Sequence, residues 1–266
     1  MDVVIVSYNS AKFLPRLLSS LKDHPNVASV TIVDNGSTDD SVAVAESVQS
    51  RIPLRVHSVR RNVGFGAAVN IGAAAGELKA RQLLVINPDV AIEREVLAAL
   101  SEDLERDATL AAVGTSLRTS EGQPVSSARY FPTPRSIAAR RVKDVRHGGN
   151  VVEVDWLCGA LMLWNRRAFE EVGGFSPEYF LYFEDVDICM KARAAGWTIA
   201  IDGRHNAIHD QGHGETTSPL LRRISRASRR RYARKWHGPL GLAAAVWADA
   251  ADAAAGLYHG SRRPPK

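Results

Sequence analysis

The sequence predicts an α/β fold, a sheet flanked by helices with a helical extension at its C-terminal end, and three observations predict it. Short unbroken apolar runs alternate with segments of helical periodicity through the first half of the chain. Each run ends in a cluster of polar and turn-forming residues, as strands do at the ligand-binding edge of an open sheet. With 266 residues and 45% hydrophobic content, the chain can bury such a sheet on both faces.

The first run, Val3 to Val6, ends in Ser7-Tyr8-Asn9-Ser10, and Leu14, Leu17, Leu18 and Leu21 then mark a helix. Val27 to Val33 is a second strand ending in Asp34-Asn35-Gly36-Ser37-Thr38-Asp39-Asp40. Asn35-Gly36 supplies a turn, and Ser37 with Asp40 reads as a capping box for a helix through Val48. A third strand, Leu54 to Val59, runs into Arg60-Arg61-Asn62-Val63-Gly64. The nearly all-small helix over 66–76 can pack close to a ligand or a sheet. A fourth strand, Gln82 to Ile86, delivers Asn87-Pro88-Asp89, and a helix from Glu93 to Leu104 and a strand from Leu110 to Gly114 follow.

From Arg118 to Asn150 the pattern dissolves into Gly, Pro, Ser and Arg, which reads as a long mobile segment. Val151 to Trp164 reads as one strand carrying Trp156, and Arg166 to Val172 as a short helix stopped by Gly173-Gly174. Next, Tyr179 to Trp197 delivers Glu184, Asp185 and Asp187 out of an aromatic-rich run at the start of a helix, whose dipole favours their ionised forms. Capping and catalysis are equally good explanations of these acids by themselves. The strand Thr198 to Ile201 precedes a loop bearing His205, His209, Asp210 and His213. A basic helix and an Ala-rich helix close the chain, with 262–266 frayed.

Composition narrows the class. Cys158 and Cys189 lie in apolar stretches without a C-x-x-C partner, which points to reduced, buried thiols in a cytosolic compartment. No cationic segment precedes the first strand as in a secretory leader, and Asp249 and Asp252 interrupt the apolar tail that might otherwise span a membrane. The net charge of +5 concentrates between Arg222 and Lys235. An apolar stripe opposite that charge suits an anionic membrane surface or docking onto the domain, and no nucleic-acid motif accompanies it.

The strand-end residues define the chemistry. The first turn lacks a dinucleotide fingerprint, and no Gly-Lys-Ser/Thr occurs. What remains is an edge bearing Asp34, Asn35, Asn62, Asn70, Asn87 and Asp89, joined later by Glu184, Asp185 and His209. The amides and a carboxylate suit a nucleobase and ribose, and Asp89 suits a hard divalent cation on a diphosphate.

Val6-Ser-Tyr-Asn9, Val33-Asp-Asn-Gly-Ser-Thr-Asp39, Asn62-Val-Gly-Phe-Gly66 with Asn70, Asn87-Pro-Asp89, Gly173-Gly-Phe175 and Tyr182-Phe-Glu-Asp-Val-Asp187 resemble family 2 glycosyltransferases. Within them the chain is similar to bacterial rhamnosyltransferases of cell-wall and O-antigen assembly. The resemblance implies a GT-A fold, a Rossmann-like mixed sheet flanked by helices over 1–215, with a nucleotide-sugar half to about residue 117 and an acceptor half over 118–215. Residues 216–266 form a basic and Ala-rich helical tail.

It also implies inverting transfer from a nucleotide-diphosphate sugar, dTDP-rhamnose above all, to a polyprenyl-diphosphate-linked or other envelope glycan. The setting is cytoplasmic, peripheral at the inner membrane face through 222–235. Tyr8 and Asn9 then line the base pocket, Asp34 accepts from the imide of uracil or thymine, and Asn62 and Gly64 approach ribose and diphosphate. Asn35, Asn70 and Asn87 complete the donor site. Asp89 holds Mg²⁺ or Mn²⁺ with His209, or with His213 as a second candidate, while neutral Asn87 replaces the usual second acid. Asp185 is the general base, with Glu184 orienting it or binding the acceptor, and Trp156 and Asp187 contact the acceptor unless Asp187 caps the helix or pairs with Lys191. The competing classes are a UDP-sugar transferase, a silent nucleotide-sugar-binding module, and a metal-dependent hydrolase using His205, His209, Asp210 and His213.

Overall fold

A computed structural model describes residues 1–21, 24–75, 79–141, 143–210 and 218–260. Its first half is β1 (Asp2–Ser7), α1 (Leu14–Leu21), β2 (Ser29–Asp34), α2 (Ser41–Ser47), β3 (Leu54–Ser58), α3 (Phe65–Ala75) and β4 (Gln82–Ile86). There follow β5 (Val90–Ala91), α4 (Arg94–Arg106), β6 (Leu110–Arg118), β7 (Pro124–Val125), β8 (Ala128–Arg129) and α5 (Pro134–Ala138). The remainder is β9 (Val151–Glu153), β10 (Trp156–Leu157), β11 (Leu161–Asn165), α6 (Arg166–Glu171), α7 (Glu184–Ala194), β12 (Thr198–His209) and α8 (Pro219–Gly260).

The main sheet runs β3-β2-β1-β4-β11-β6-β12-β5, with β7 added beside β6 and β9 beside β12. β1, β2, β3 and β4 are mutually parallel, whereas β11 enters antiparallel between β4 and β6. Side-chain alternation divides the core between the two faces. Val3 and Ile5 join Leu14, Leu17 and Leu18 on one side, while Val4 and Val6 join Val69, Trp164 and Phe175 on the other. β1 is therefore buried on both faces, which is why it reads as an uninterrupted apolar run. The small residues of α3 serve the sheet, with Gly72 seated against Val4 and Val33.

Several local expectations are corrected. α2 begins at Ser41 without a side-chain cap from Asp40, because Ser37 Oγ instead accepts the Asn9 N–H. The segment read as mobile carries β7, β8 and α5, and Thr133 closes a capping box on α5. The single strand expected over 151–164 is three pieces pairing with β12, with β8 and with β4 and β6. Asp155 breaks the run by turning its carboxylate to the Phe131 N–H at 2.7 Å. β12 continues to His209 through a register shift between Asp202 and Asn206, so His205 and His209 stand on a strand. Its polar run looked like loop because Asp202, Arg204 and His205 bond one another within the strand.

α8 is broken at Gly238, followed by Pro239. Its first half is no detached tail: Tyr232 and Ala233 are fully buried. Among the described residues, no helix is long and apolar enough to cross a membrane.

Candidate active site

The turns after β1 and β2 are clasped together. Asn9, at φ 51°, accepts the Thr38 N–H at 2.8 Å while its own N–H donates to Ser37 Oγ at 2.9 Å. Beside this clasp Tyr8 is half exposed, its ring available for stacking. Asp34 is buried. Its Oδ2 accepts the Ser37 N–H at 3.2 Å, and Oδ1 has no hydrogen-bond partner among the described residues. A buried, unpartnered carboxylate oxygen is costly unless a ligand donor meets it.

Asn35 and Asn62 are bonded to each other and to the loop that follows β3. The Asn35 amide donates to Asn62 Oδ1 at 3.0 Å and to the Gly64 carbonyl at 3.3 Å, and its Oδ1 accepts the Val63 N–H. Asn62 Oδ1 also accepts the Gly64 N–H at 2.9 Å. Gly64 sits at φ +91°, and a Cβ there would lie 2.4 Å from the Phe180 carbonyl oxygen. Only glycine allows this approach of the loop to the acid-bearing segment.

At the end of β4, the Asn87 N–H donates to the Ala160 carbonyl at 2.9 Å. Asp89 follows, with Oδ2 at 3.3 Å from His209 Nε2. The β5–β12 pairing sets His209 opposite Val90 and creates this contact across 120 residues of sequence. The imidazole is buried, and its Nδ1 has no partner among the described residues.

Tyr182 and Phe183 both adopt φ +68° immediately before α7, a conformation that bulky residues take only when their surroundings impose it. The surroundings are α3 and α8: Phe65 N–H donates to the Phe180 carbonyl at 3.0 Å, and Ser228 Oγ donates to the Leu181 carbonyl at 2.8 Å. The chain thus enters α7 with Glu184 buried and Asp185 half-buried. Asp185 Oδ2 accepts the Gly159 N–H at 3.1 Å, and Oδ1 accepts the Val186 N–H at 2.8 Å. Gly159 and Ala160 are neighbouring residues, so one turn holds both Asn87 and Asp185.

Burial pushes the Asp185 carboxyl above its ordinary range, although the two amide hydrogen bonds and the charge of Arg129 oppose this. Glu184 is pushed well up by burial and then by the neighbouring Asp185 charge, and its Oε2 has no partner among the described residues. Arg129, on β8, was not singled out from the sequence. It is held by Asp144 at 3.0 Å with its guanidinium over the Trp156 ring, and an Arg in a Pro-rich segment carries no local signal of this placement.

Three expected site residues serve the scaffold instead. The Asn70 side chain is spent on Phe175, accepting its N–H at 2.9 Å and donating to its carbonyl at 2.7 Å, so it does not line the donor pocket. Trp156 is buried, with Nε1 donating to the Tyr130 carbonyl at 3.2 Å, and offers no open ring to an acceptor. Asp187 is 0% exposed and accepts from Ser176, Tyr179, Trp236 and Lys235, the last at 2.8 Å. The Lys191 ammonium goes instead to the Val172 and Gly174 carbonyls. His205 bonds Asp202 at 2.7 Å and Asp210 accepts the Ser120 N–H at 2.6 Å, and among the described residues no cluster of three or more metal-ligating side chains forms. His213 lies outside the described residues.

The model for glycosyl transferase family 2 matches residues 2–173. The chain belongs to that family. This glycosyltransferase is 31% identical over 245 residues to the N-acetylglucosaminyl-diphospho-decaprenol L-rhamnosyltransferase of Mycobacterium tuberculosis, covering 82% of this chain and 78% of that one. It is 26% identical over 225 residues to the rhamnosyltransferase WbbL of Escherichia coli K12, covering 79% of this chain and 83% of that one. The structure of GalNAc-T7 with UDP, GalNAc and Mn²⁺ superposes with a TM-score of 0.66 at 17% identity, over 90% of this chain and 50% of that one. The glycosyltransferase thus has the GT-A architecture and is related to bacterial rhamnosyltransferases.

Proposed function

We propose that this glycosyltransferase moves L-rhamnose from dTDP-rhamnose, with inversion, to a GlcNAc carried on a polyprenyl diphosphate at the cytoplasmic membrane face. The basic segment 222–235 is turned toward that membrane. The observation that carries the reading is the convergence of Asp185 with the β4 edge, through the neighbouring residues Gly159 and Ala160. Identity to the mycobacterial enzyme supports the choice of sugar and acceptor. A uridine-diphosphate sugar is the second reading, since Asp34 Oδ1 would accept the imide N–H of uracil and thymine alike.

In this mechanism Tyr8 stacks on the base and Asp34 fixes its imide edge. Asp185 takes the proton of the acceptor hydroxyl as that oxygen forms its bond to the anomeric carbon. The bond from that carbon to the diphosphate breaks, and the nucleotide leaves with the electron pair. Glu184 adjoins the base in a buried setting that keeps water away from the proton transfer.

Asp89 and His209 are the residues that would hold a divalent cation. One carboxylate oxygen and one imidazole nitrogen form a donor set that suits Mn²⁺ better than the oxygen-demanding Mg²⁺. When bound, the cation supplies charge neutralisation for the departing diphosphate.

The test is product analysis by mass spectrometry with dTDP-rhamnose or UDP-sugars and a short prenyl-diphosphate-GlcNAc acceptor. Thermal shifts with dTDP, UDP and GDP, each with and without Mn²⁺, accompany it. Rhamnosyl transfer with a metal-dependent dTDP shift is the expected result. A shift with UDP alone would move the donor to the second reading, and nucleotide binding without transfer to any acceptor would make the chain a binding module.

A further inference from the structure

α8 is a helical hairpin whose second half turns one face inward. Ala245 and Ala248 bury against Ala233 and Ile137, and Asp249 receives Arg229 and Arg230. The opposite face carries Leu240, Ala243, Val246, Trp247 and Ala250, which recur at helical spacing and are all exposed. Leu240 is 71% and Trp247 66% exposed, and no described residue covers them.

The first half of the hairpin supplies the charge. Arg222, Arg226, Arg230 and Arg234 recur every fourth residue along the first half. The ion pair of Arg230 with Asp249 shows that this row lies alongside the second half of the hairpin.

We propose that the α8 hairpin is a membrane-docking surface, with Leu240, Val246 and Trp247 entering the interface of an anionic bilayer and the arginine row meeting lipid phosphates. An apolar face edged by arginine, with Trp at the boundary, is the composition of an interfacial helix. Pairing with a second copy is disfavoured by charge: an isologous contact on this face sets the arginine row against its own repeat, in a chain of net charge +5. The second half lies on the bilayer rather than crossing it, because Asp249 and Asp252 occupy its inner side.

The surface goes beyond the basic segment by placing the apolar contact after the Gly238 break. Lys235 and Trp236 key the hairpin to Asp187 of α7, so a bilayer held here has a fixed orientation relative to Asp185. That consequence rests on the lipid-linked acceptor, whereas binding to a bilayer does not.

The experiment is flotation of the full chain with vesicles of phosphatidylcholine alone or with 30 mol% phosphatidylglycerol taken as roughly the anionic content that gives a membrane its negative surface potential. Binding to the anionic vesicles, weakened by salt, is expected. The double variant Leu240→Ser/Trp247→Ser should lower the partition coefficient by about tenfold or more, since two large apolar side chains lose their burial. Ala250→Asp should weaken binding with little change in volume, and Arg226→Gln/Arg234→Gln should reduce the preference for anionic lipid. Thermal unfolding and transfer to a soluble acceptor check that each variant folds. Absence of wild-type binding, or variants that float like wild type, would overturn the proposal. A wild-type dimer that Trp247→Ser dissociates, without vesicle binding, would assign the face to a second copy.

Discussion

Trp236 donates its indole N–H to the Asp187 carboxylate at 2.7 Å, joining the C-terminal hairpin to the helix that carries the proposed base. A single residue separates Asp185 from Asp187 in sequence, yet their environments are opposite. Asp187 is closed off by four donors, whereas Asp185 has only two backbone amides and a half-buried position. The first arrangement builds structure and the second leaves a carboxylate able to take a proton.

Asp187→Ala therefore removes an anchor, leaving Lys235 without its counter-charge and three neutral donors unpaired. The expected loss is about 3 kcal/mol, the lower end for breaking a buried pair because Lys235 is partly exposed. Urea unfolding measures it. An unchanged midpoint would show that α8 docks independently of Asp187.

Asp185→Asn should lower kcat by about 10²–10⁴ while leaving the dissociation constant for the donor nucleotide nearly unchanged. Because burial raises the Asp185 pKa, the acid limb of the wild-type kcat/KM profile should lie above the ordinary carboxylate value of about 4. Activity is then lost as pH falls through that raised value and the base becomes protonated. A limb at the ordinary value would place the base elsewhere.

Glu184→Gln tests the neighbouring carboxyl through stability. A raised folded-state pKa means that the folded protein holds this proton more tightly than the unfolded chain, so stability falls as pH rises from the unfolded toward the folded value. The amide, which cannot ionise, should be more stable than wild type at pH 8, with a higher Tm, and lose that advantage near pH 4. Calorimetry at both pH values decides it. An equal effect at both would indicate a packing origin.

Gly64→Ala forces a Cβ against the Phe180 carbonyl at a positive φ and should cost at least about 2 kcal/mol. It should weaken donor binding as well, since the same loop rests on Asn35 and Asn62. Nucleotide titration and thermal unfolding should move together, and a stable variant with intact binding would contradict the close approach.

The sequence by itself determined the α/β class, the buried parallel strands, the turns at their ends and the six motifs of the family, because each depends on periodicity or on residues adjacent in the chain. Tertiary structure decided which polar groups are already bonded within the fold. Asn70, Trp156 and Asp187 carry the same chemical groups as site residues, and only their partners, up to 105 positions away, show that those groups are consumed inside the fold. The pairing of His209 with Asp89 likewise required β12 to run on through a polar register shift that local pattern reads as loop. Hydrogen-bond capacity is finite, and a sequence specifies the donors and acceptors without specifying which of them the folded chain leaves unspent.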